Sequence, residues 1–202
     1  MGSIRPLVTT TLLLEQLKNS RNEDAWQEFD DRFRGVILAA ARRLGLDQAD
    51  AADVAQDTIL QSIRDYQAGR YDRSRGRLSS WIVTIAHNRI TDALRKRQVR
   101  QGDTGGTALL QLPAASQVAD TWDETMRESI FQRALDLVRD EGRLGERTLR
   151  AFEMFALRGV PAEAVAVECE MTTDQVYVAK NRAARRLREM VERLSAAYED
   201  GL

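Results

Sequence analysis

Between Arg70 and Arg77 a single tyrosine stands among four arginines: Arg70, Tyr71, Arg73, Arg75 and Arg77. Guanidinium groups neutralise phosphates, and an aromatic ring among them offers a face on which an unpaired base can stack. The segment that follows carries Trp81, then Asn88 and Arg89, then Asp92 and Arg95, and ends on the basic run Arg95-Lys96-Arg97. Asn88, Asp92 and Arg95 are spaced by four and three residues, which puts them on one face of a helix. Asn, Asp and Arg are side chains that hydrogen-bond base edges and phosphates. Plainer readings exist for parts of the pattern. Basic residues at a helix C-terminus complement the macrodipole, and Trp81 alone could be a core anchor. His87 is the only histidine and Cys169 the only cysteine, so no metal centre, no cofactor and no disulfide framework is expected.

A second constellation lies upstream. Asp53, Gln56, Asp57 and Leu60 fall at i, i+3, i+4 and i+7. They form an acidic, amide-bearing stripe with one leucine at its end, suited to a basic helix of a partner protein. The alternative is a solvated face with one stray apolar residue, since single exposed leucines are ordinary. Ala51, Val54, Ala55, Ile59, Ile63 and Tyr66 make a different stripe, expected to face the core. Thr58, beside Asp57, is a place where phosphorylation would add negative charge next to the acidic stripe.

The third constellation is near the C-terminus. From Val160 to Leu194 the chain reads as a short helix, a turn at Cys169-Glu170-Met171 and a long helix capped by Thr172. Ala164, Val165 and Val167 give the short helix an apolar side, and Val176, Ala179, Ala183 and Leu187 lie inward on the long one. Thr172, Thr173, Gln175, Tyr177, Val178, Lys180, Asn181 and Arg182 are then offered on its first turns, followed by Arg185 and Arg186. This is the logic of a helix-turn-helix, whose second helix presents its N-terminal half to the major groove. The alternative is a helical hairpin with a charged outer face.

The elements that must position these groups are helical throughout. Ala, Leu, Arg and Glu abound, with 3 Pro in 202 residues, and no segment alternates with period two. Helices are expected near Thr9–Asn19, Glu23–Leu44, Gln48–Gln67, Ser79–Val99, Asp123–Asp140, Gly145–Arg158, Pro161–Glu168 and Thr172–Tyr198. From Gln101 to Ala119 the pattern dissolves into a Gly-rich, nearly uncharged stretch with linker character. The expected fold is therefore all-α: an N-terminal helical domain over residues 1–100, a flexible linker over 101–120 and a smaller helix-turn-helix domain over 121–202. Lys+Arg number 30 against 31 Asp+Glu, so overall charge says nothing about partners, but its distribution does. Asp47–Asp65 holds five acids and one base, Arg70–Arg100 nine bases and two acids, and Val176–Leu194 six bases and two acids. Acidic and basic blocks so separated point to two kinds of partner. No apolar run approaches membrane-spanning length and no signal peptide is read. Together with a single cysteine this fits a reducing, cytoplasmic setting. Paired carboxylates, a Cys–His dyad and a phosphate-binding glycine loop are all missing, so no enzyme is expected.

In combination, the stretch DAADVAQDTILQSI, then RGRLSSWIVTIAHNRITDALRKR, then a loose linker and a helix-turn-helix ending NRAARRLRE resemble a bacterial RNA polymerase sigma factor. The compact two-domain form is similar to the extracytoplasmic-function class, from about Trp26 to Leu194. The resemblance implies partners and roles. Asp53, Gln56, Asp57 and Leu60 would dock on the clamp helices of the β′ subunit of core RNA polymerase, with further contact to β. Arg70, Tyr71, Arg73 and Arg75, in the loop from Gly69 to Ser80, would hold a base flipped from the minus-ten promoter element, and Trp81, Asn88, Arg89, Asp92 and Arg95 would help open that element. The helix from Thr172 to Arg186 would read the minus-thirty-five element as duplex. The linker would thread toward the RNA exit region, and an anti-sigma factor is a partner of the kind many members have.

The chain departs from the family pattern in three places. Ala52 stands where the acidic helix often has Glu, Glu170 where the turn commonly has Gly, and Tyr177-Val178-Ala179 where a basic-polar run is usual, so no promoter preference carries over. The competing reading is a helix-turn-helix transcription regulator that does not bind core polymerase; it leaves the Arg-Tyr loop and the acidic stripe unexplained.

Overall fold

The structure, a computed structural model, describes residues 10–19, 22–100 and 112–199. Among these there are eight α-helices and no strand: α1 (Thr10–Leu17), α2 (Glu23–Arg43), α3 (Gln48–Gln67), α4 (Leu78–Arg100), α5 (Ala115–Asp140), α6 (Glu146–Phe152), α7 (Ala162–Glu168) and α8 (Thr173–Glu199). A 3₁₀ turn occupies Arg73–Arg75, and α6 continues directly into a π-helical turn, Glu153–Leu157. The expected all-α class holds. No helix among the described residues is long and apolar enough to cross a membrane.

Contacts divide the described residues into an N-terminal unit, which runs to Ser129 and includes Tyr198 and Glu199, and a C-terminal unit, Ile130–Ala197. The N-terminal core joins Leu13 and Leu17 of α1, Phe29, Phe33, Val36 and Ile37 of α2, Ala51, Val54, Ala55 and Ile59 of α3, and Ile82, Ala86, Ile90 and Leu94 of α4. α2 is opened by Asn22, whose side chain accepts from the Ala25 N–H, and α3 by Asp47, which accepts from the Asp50 N–H. These bonds satisfy first-turn donors and fix where each helix starts. Arg32 is 2 % exposed and hydrogen-bonded to Glu28 at 3.0 Å and to the Thr10 hydroxyl at 3.2 Å, which ties α1 to α2.

One part of the expected organisation changes. Of the linker expected over 101–120, residues 101–111 lie outside the described residues, but the remainder is folded. α5 begins at Ala115, eight residues before the expected Asp123. Val118 is 0 % and Trp122 2 % exposed, both in the N-terminal core, and the Trp122 ring stacks on Phe33 at 6.3 Å between centroids. Arg43 of α2 reaches Glu124 at 3.5 Å and Glu128 at 2.8 Å. The first half of α5 thus closes the N-terminal core. Burial of a valine and a tryptophan outweighs the low helix signal of the polar stretch around them.

The C-terminal unit buries Ala162, Val165, Ala166 and Cys169 of the α7 region against Ala151, Val176 and Ala179. The expected apolar side of α7 is corrected here. Val165 is buried, but Ala164 is exposed and Val167 is 82 % exposed. The inward set follows i, i+3, i+4, i+7 from Ala162, which puts 164 and 167 on the outer side.

Candidate nucleic-acid interface

The acidic stripe is present as a surface. Asp53, Gln56, Asp57 and Leu60 are all exposed, Leu60 at 40 %, while Ala51, Val54, Ala55 and Ile59 turn into the core. Thr58 is not part of that surface. It is 0 % exposed and its hydroxyl has no hydrogen-bond partner. The expectation of a phosphorylation site there is therefore corrected, because no kinase can reach the oxygen in the folded chain.

α3 ends where Gly69 takes φ 70, a left-handed conformation that favours glycine. The loop that follows is internally tied. Asp72 accepts from the Ser74 N–H at 2.9 Å and from its hydroxyl at 2.7 Å. Those two hydrogen bonds hold the Asp72 carboxyl below the ordinary aspartate range. The Tyr71 hydroxyl donates to the Gly76 carbonyl at 3.2 Å. The Tyr71 ring lies 5.2 Å from Trp81 and 6.2 Å from Tyr66. Burial pushes the Tyr71 phenol above its usual range, partly opposed by the charge of Arg73.

Beside this aromatic row is a pocket of about 390 Å³, lined by Arg70, Tyr71, Asp72, Arg75, Gly76, Arg77, Ser80, Trp81 and Thr84. Cations, ring faces and hydroxyls surround a space of small-ligand size, and a single unstacked base matches it in polarity. Arg70, Tyr71, Arg75 and Trp81 come together as expected. Arg73 does not line the pocket. Asp72 and Thr84 do; Thr84 is the residue one helical turn beyond Ser80, so the helix period was the signal that could have found it.

The α4 set sits on a neighbouring surface. Asn88, Asp92 and Arg95 are exposed, and Arg89 is half-buried with Nη2 donating to the Gln61 side chain at 3.0 Å. A groove of about 720 Å³ runs between α3 and α4, with Asp50, Asp53 and Asp57 on one wall and Arg89, Asp92, Arg95 and Lys96 on the other. Two residues of the acidic stripe and three of the α4 set thus share one groove. Sequence reasoning assigned them to separate partners. His87 Nε2 lies 3.3 Å from the Pro113 carbonyl, at the start of the segment leading into α5. No group of three or more His, Cys, Asp or Glu residues among the described residues is placed to hold a metal ion.

In the C-terminal unit, α7 and α8 are joined by a tight turn in which Glu170 takes φ 52. That position explains why glycine would be the easier residue there. Thr172 and Gln175 make a reciprocal cap: the Gln175 N–H donates to Thr172 Oγ1 at 3.2 Å, and the Thr172 N–H donates to Gln175 Oε1 at 2.9 Å. Tyr177, Val178, Lys180, Asn181, Arg182 and Arg185 are exposed, and Thr173 is half-buried. Arg186 is committed elsewhere. Its guanidinium holds Glu141 through contacts of 2.6–3.0 Å and Glu189 at 2.8 Å. It acts first as a tie between α8 and the end of α5, a partnership 45 residues apart that no local spacing reveals.

Residues 29–100, which contain the acidic stripe, the aromatic pocket and α4, match the family model described as sigma-70 region 2. The chain carries a sigma-70 region 2 domain. Among curated proteins it is similar to the ECF RNA polymerase sigma factor SigK of Mycobacterium sp. (strain KMS), with 33 % identity over 119 residues, 57 % of this chain and 60 % of that protein. It is also similar to the RNA polymerase sigma factor CnrH of Cupriavidus metallidurans, with 29 % identity over 144 residues, 70 % of this chain and 71 % of that protein. A third relative is the ECF RNA polymerase sigma factor RpoE of Cereibacter sphaeroides, at 31 % over 84 residues, 42 % of this chain and 45 % of that protein. The chain thus spans about three fifths of the SigK relative. All three relatives are named as RNA polymerase sigma factors.

Proposed function

We propose that the protein is an extracytoplasmic-function sigma factor that binds core RNA polymerase, directs it to promoters and helps open promoter DNA. The observation that carries this reading is that one folded unit, matching region 2, presents both an exposed acidic stripe and a cationic aromatic pocket. Asp53, Gln56, Asp57 and Leu60 dock on the β′ clamp helices, with the leucine filling an apolar site between basic partners. The pocket beside Tyr71 and Trp81 receives a base of the minus-ten element. Asn88, Asp92 and Arg95, with Arg89 behind them, hold the opened strand.

The energetics fit a two-partner machine. Extracting a base costs a few kcal/mol, and stacking returns about 1–3 kcal/mol per base. The pocket alone roughly breaks even, so opening must draw on binding to core polymerase and on duplex contacts made by α8. The exposed polar and basic residues of α8 supply the latter at the minus-thirty-five element, where arginine–phosphate contacts hold register. In this reading the protein acts in the cytoplasm, and an anti-sigma factor is a further partner of the kind many members have.

The test is binding of the fluorescently labelled protein to purified core RNA polymerase by anisotropy, beside Leu60→Asp. Leu60 is exposed, so the variant should fold normally while its affinity falls tenfold or more, a loss of about 1.4 kcal/mol or greater. Tight duplex binding with no affinity for core polymerase would instead make the protein a helix-turn-helix regulator.

A further inference from the structure

Tyr177 and Val178 pose a problem of their own. They sit on the first turns of α8, yet Val176, Ala179 and Ala183 already fill its inward positions. Tyr177 is 49 % and Val178 55 % exposed. Neither is among the buried core residues, and Val178 has no polar atom in its side chain. Their neighbours on the outer face, Lys180, Asn181, Arg182 and Arg185, are exposed and mostly cationic. A polyanion is therefore the occupant this face suits, rather than an apolar protein surface.

Two of the polar acceptors ahead of them are occupied. Thr172 Oγ1 and Gln175 Oε1 are both used in the reciprocal cap. One turn along the helix, the outward side chains are those of 177, 178, 181 and 182. On duplex DNA the major-groove edge that offers apolar surface is the C5-methyl of thymine. A valine set against a guanine or cytosine edge would leave hydrogen-bonding groups dry and unpaired, which is unfavourable.

Building on the sigma-factor reading, we propose that Val178, flanked by Tyr177, reads thymine C5-methyl groups in the upstream duplex. This gives the chain a base preference that its departure from the usual basic-polar run creates. Both side chains are pre-set for the task. A β-branched residue in a helix has essentially one χ1 rotamer, so the two methyls of Val178 point in a fixed direction. The Tyr177 ring is held edge-on by Phe155, with centroids 5.3 Å apart and planes at 85°. Phe155 lies in the π-helical turn Glu153–Leu157, and the Lys180 ammonium stands 5.8 Å from its ring. That turn forms the C-terminal end of α6. Here the turn carries the ring that braces Tyr177, so little side-chain freedom is left to lose on binding.

The experiment uses holoenzyme formed from the full chain and core RNA polymerase. Promoter fragments with a randomised upstream element are selected for binding. Each selected thymine is then replaced singly by 2′-deoxyuridine, which keeps pairing and polar edges and removes only the methyl. At one or two positions deoxyuridine should weaken binding about four- to tenfold, as expected for one buried methyl or slightly more. In Val178→Ala, which keeps a good helix former at an exposed site, that sensitivity should vanish at the same position. Tolerance of deoxyuridine at every selected thymine would overturn the inference alone, as would an undiminished penalty in Val178→Ala. Selection of no upstream sequence at all would overturn the functional reading and this inference with it.

Discussion

Replacing Trp122 by alanine tests whether the first half of α5 is part of the N-terminal core or merely rests on it. The indole is 2 % exposed and stacked on Phe33, with Val118 one turn earlier at 0 %. A buried tryptophan removes about 150–250 Å² from water, which at about 25 cal/mol per Å² corresponds to roughly 4–6 kcal/mol. That figure is an upper bound, because the unfolded chain already hides some of this surface. Large-to-small tryptophan substitutions cost about 3–5 kcal/mol, and a domain's whole stability is about 5–15 kcal/mol. Trp122→Ala should therefore remove a fifth or more of the stability of the N-terminal unit. Urea unfolding followed by circular dichroism measures the total loss. Hydrogen exchange locates it: amides of α2 and α4 should lose protection while those of α7 and α8 keep theirs. Arg43→Ala, which breaks the exposed pairs to Glu124 and Glu128, should cost far less, since solvent screens such pairs. A loss below about 1 kcal/mol for Trp122→Ala, or one spread evenly over both units, would refute the argument that this helix closes the N-terminal core.

Three further outcomes are expected. Thr58→Val removes a buried hydroxyl without a partner at nearly constant shape and should raise stability by about 0.5–1 kcal/mol in urea titration, whereas Thr58→Glu should unfold the N-terminal unit rather than act as a charge switch. Glu170→Gly relieves a left-handed backbone at φ 52 and, after the entropy glycine adds to the unfolded chain, should stabilise the C-terminal unit by about 0.5–1 kcal/mol. Because the Asp72 carboxyl is held low by Ser74, its contribution to loop stability is complete above the ordinary aspartate range and is lost as pH falls through the lowered folded value; carboxyl NMR titration should show the Asp72 midpoint rise in Ser74→Ala, and an unmoved midpoint would assign the shift to something else.

The α3 surface was legible because its two stripes obey one period. The set 51, 54, 55, 59 goes inward, and 53, 56, 57, 60 goes outward. Thr58 was misplaced because its polarity was read before its position, although it lies four residues from both Val54 and the buried Ser62. The register of α7 was misread in a similar way, from valine identities rather than from the spacing that starts at Ala162. Other features had no local signal. The stretch before Ala119 looks like linker by composition, and only its packing against α2 shows that Val118 and Trp122 are core. The commitment of Arg186 to Glu141, and of Phe155 to Tyr177, depends on residues brought together from 45 and 22 positions away. The pocket beside Tyr71 was legible in its residue types but not in its membership, since the 3₁₀ turn at Arg73–Arg75 leaves Arg73 out and helical spacing brings Thr84 in.

The three tryptophans of this chain, Trp26, Trp81 and Trp122, all precede the boundary at Ser129, and one of them shares the aromatic row with Tyr66 and Tyr71. The chain is therefore its own optical reporter. Red-edge excitation of indole senses the N-terminal unit alone, with the C-terminal unit dark in that channel. A base that stacked against Trp81 would quench part of that emission, while a duplex engaged only by α8 would leave it untouched. On the free chain, a single-stranded fragment that stacks on Trp81 and a duplex engaged only by α8 are thereby told apart without a label.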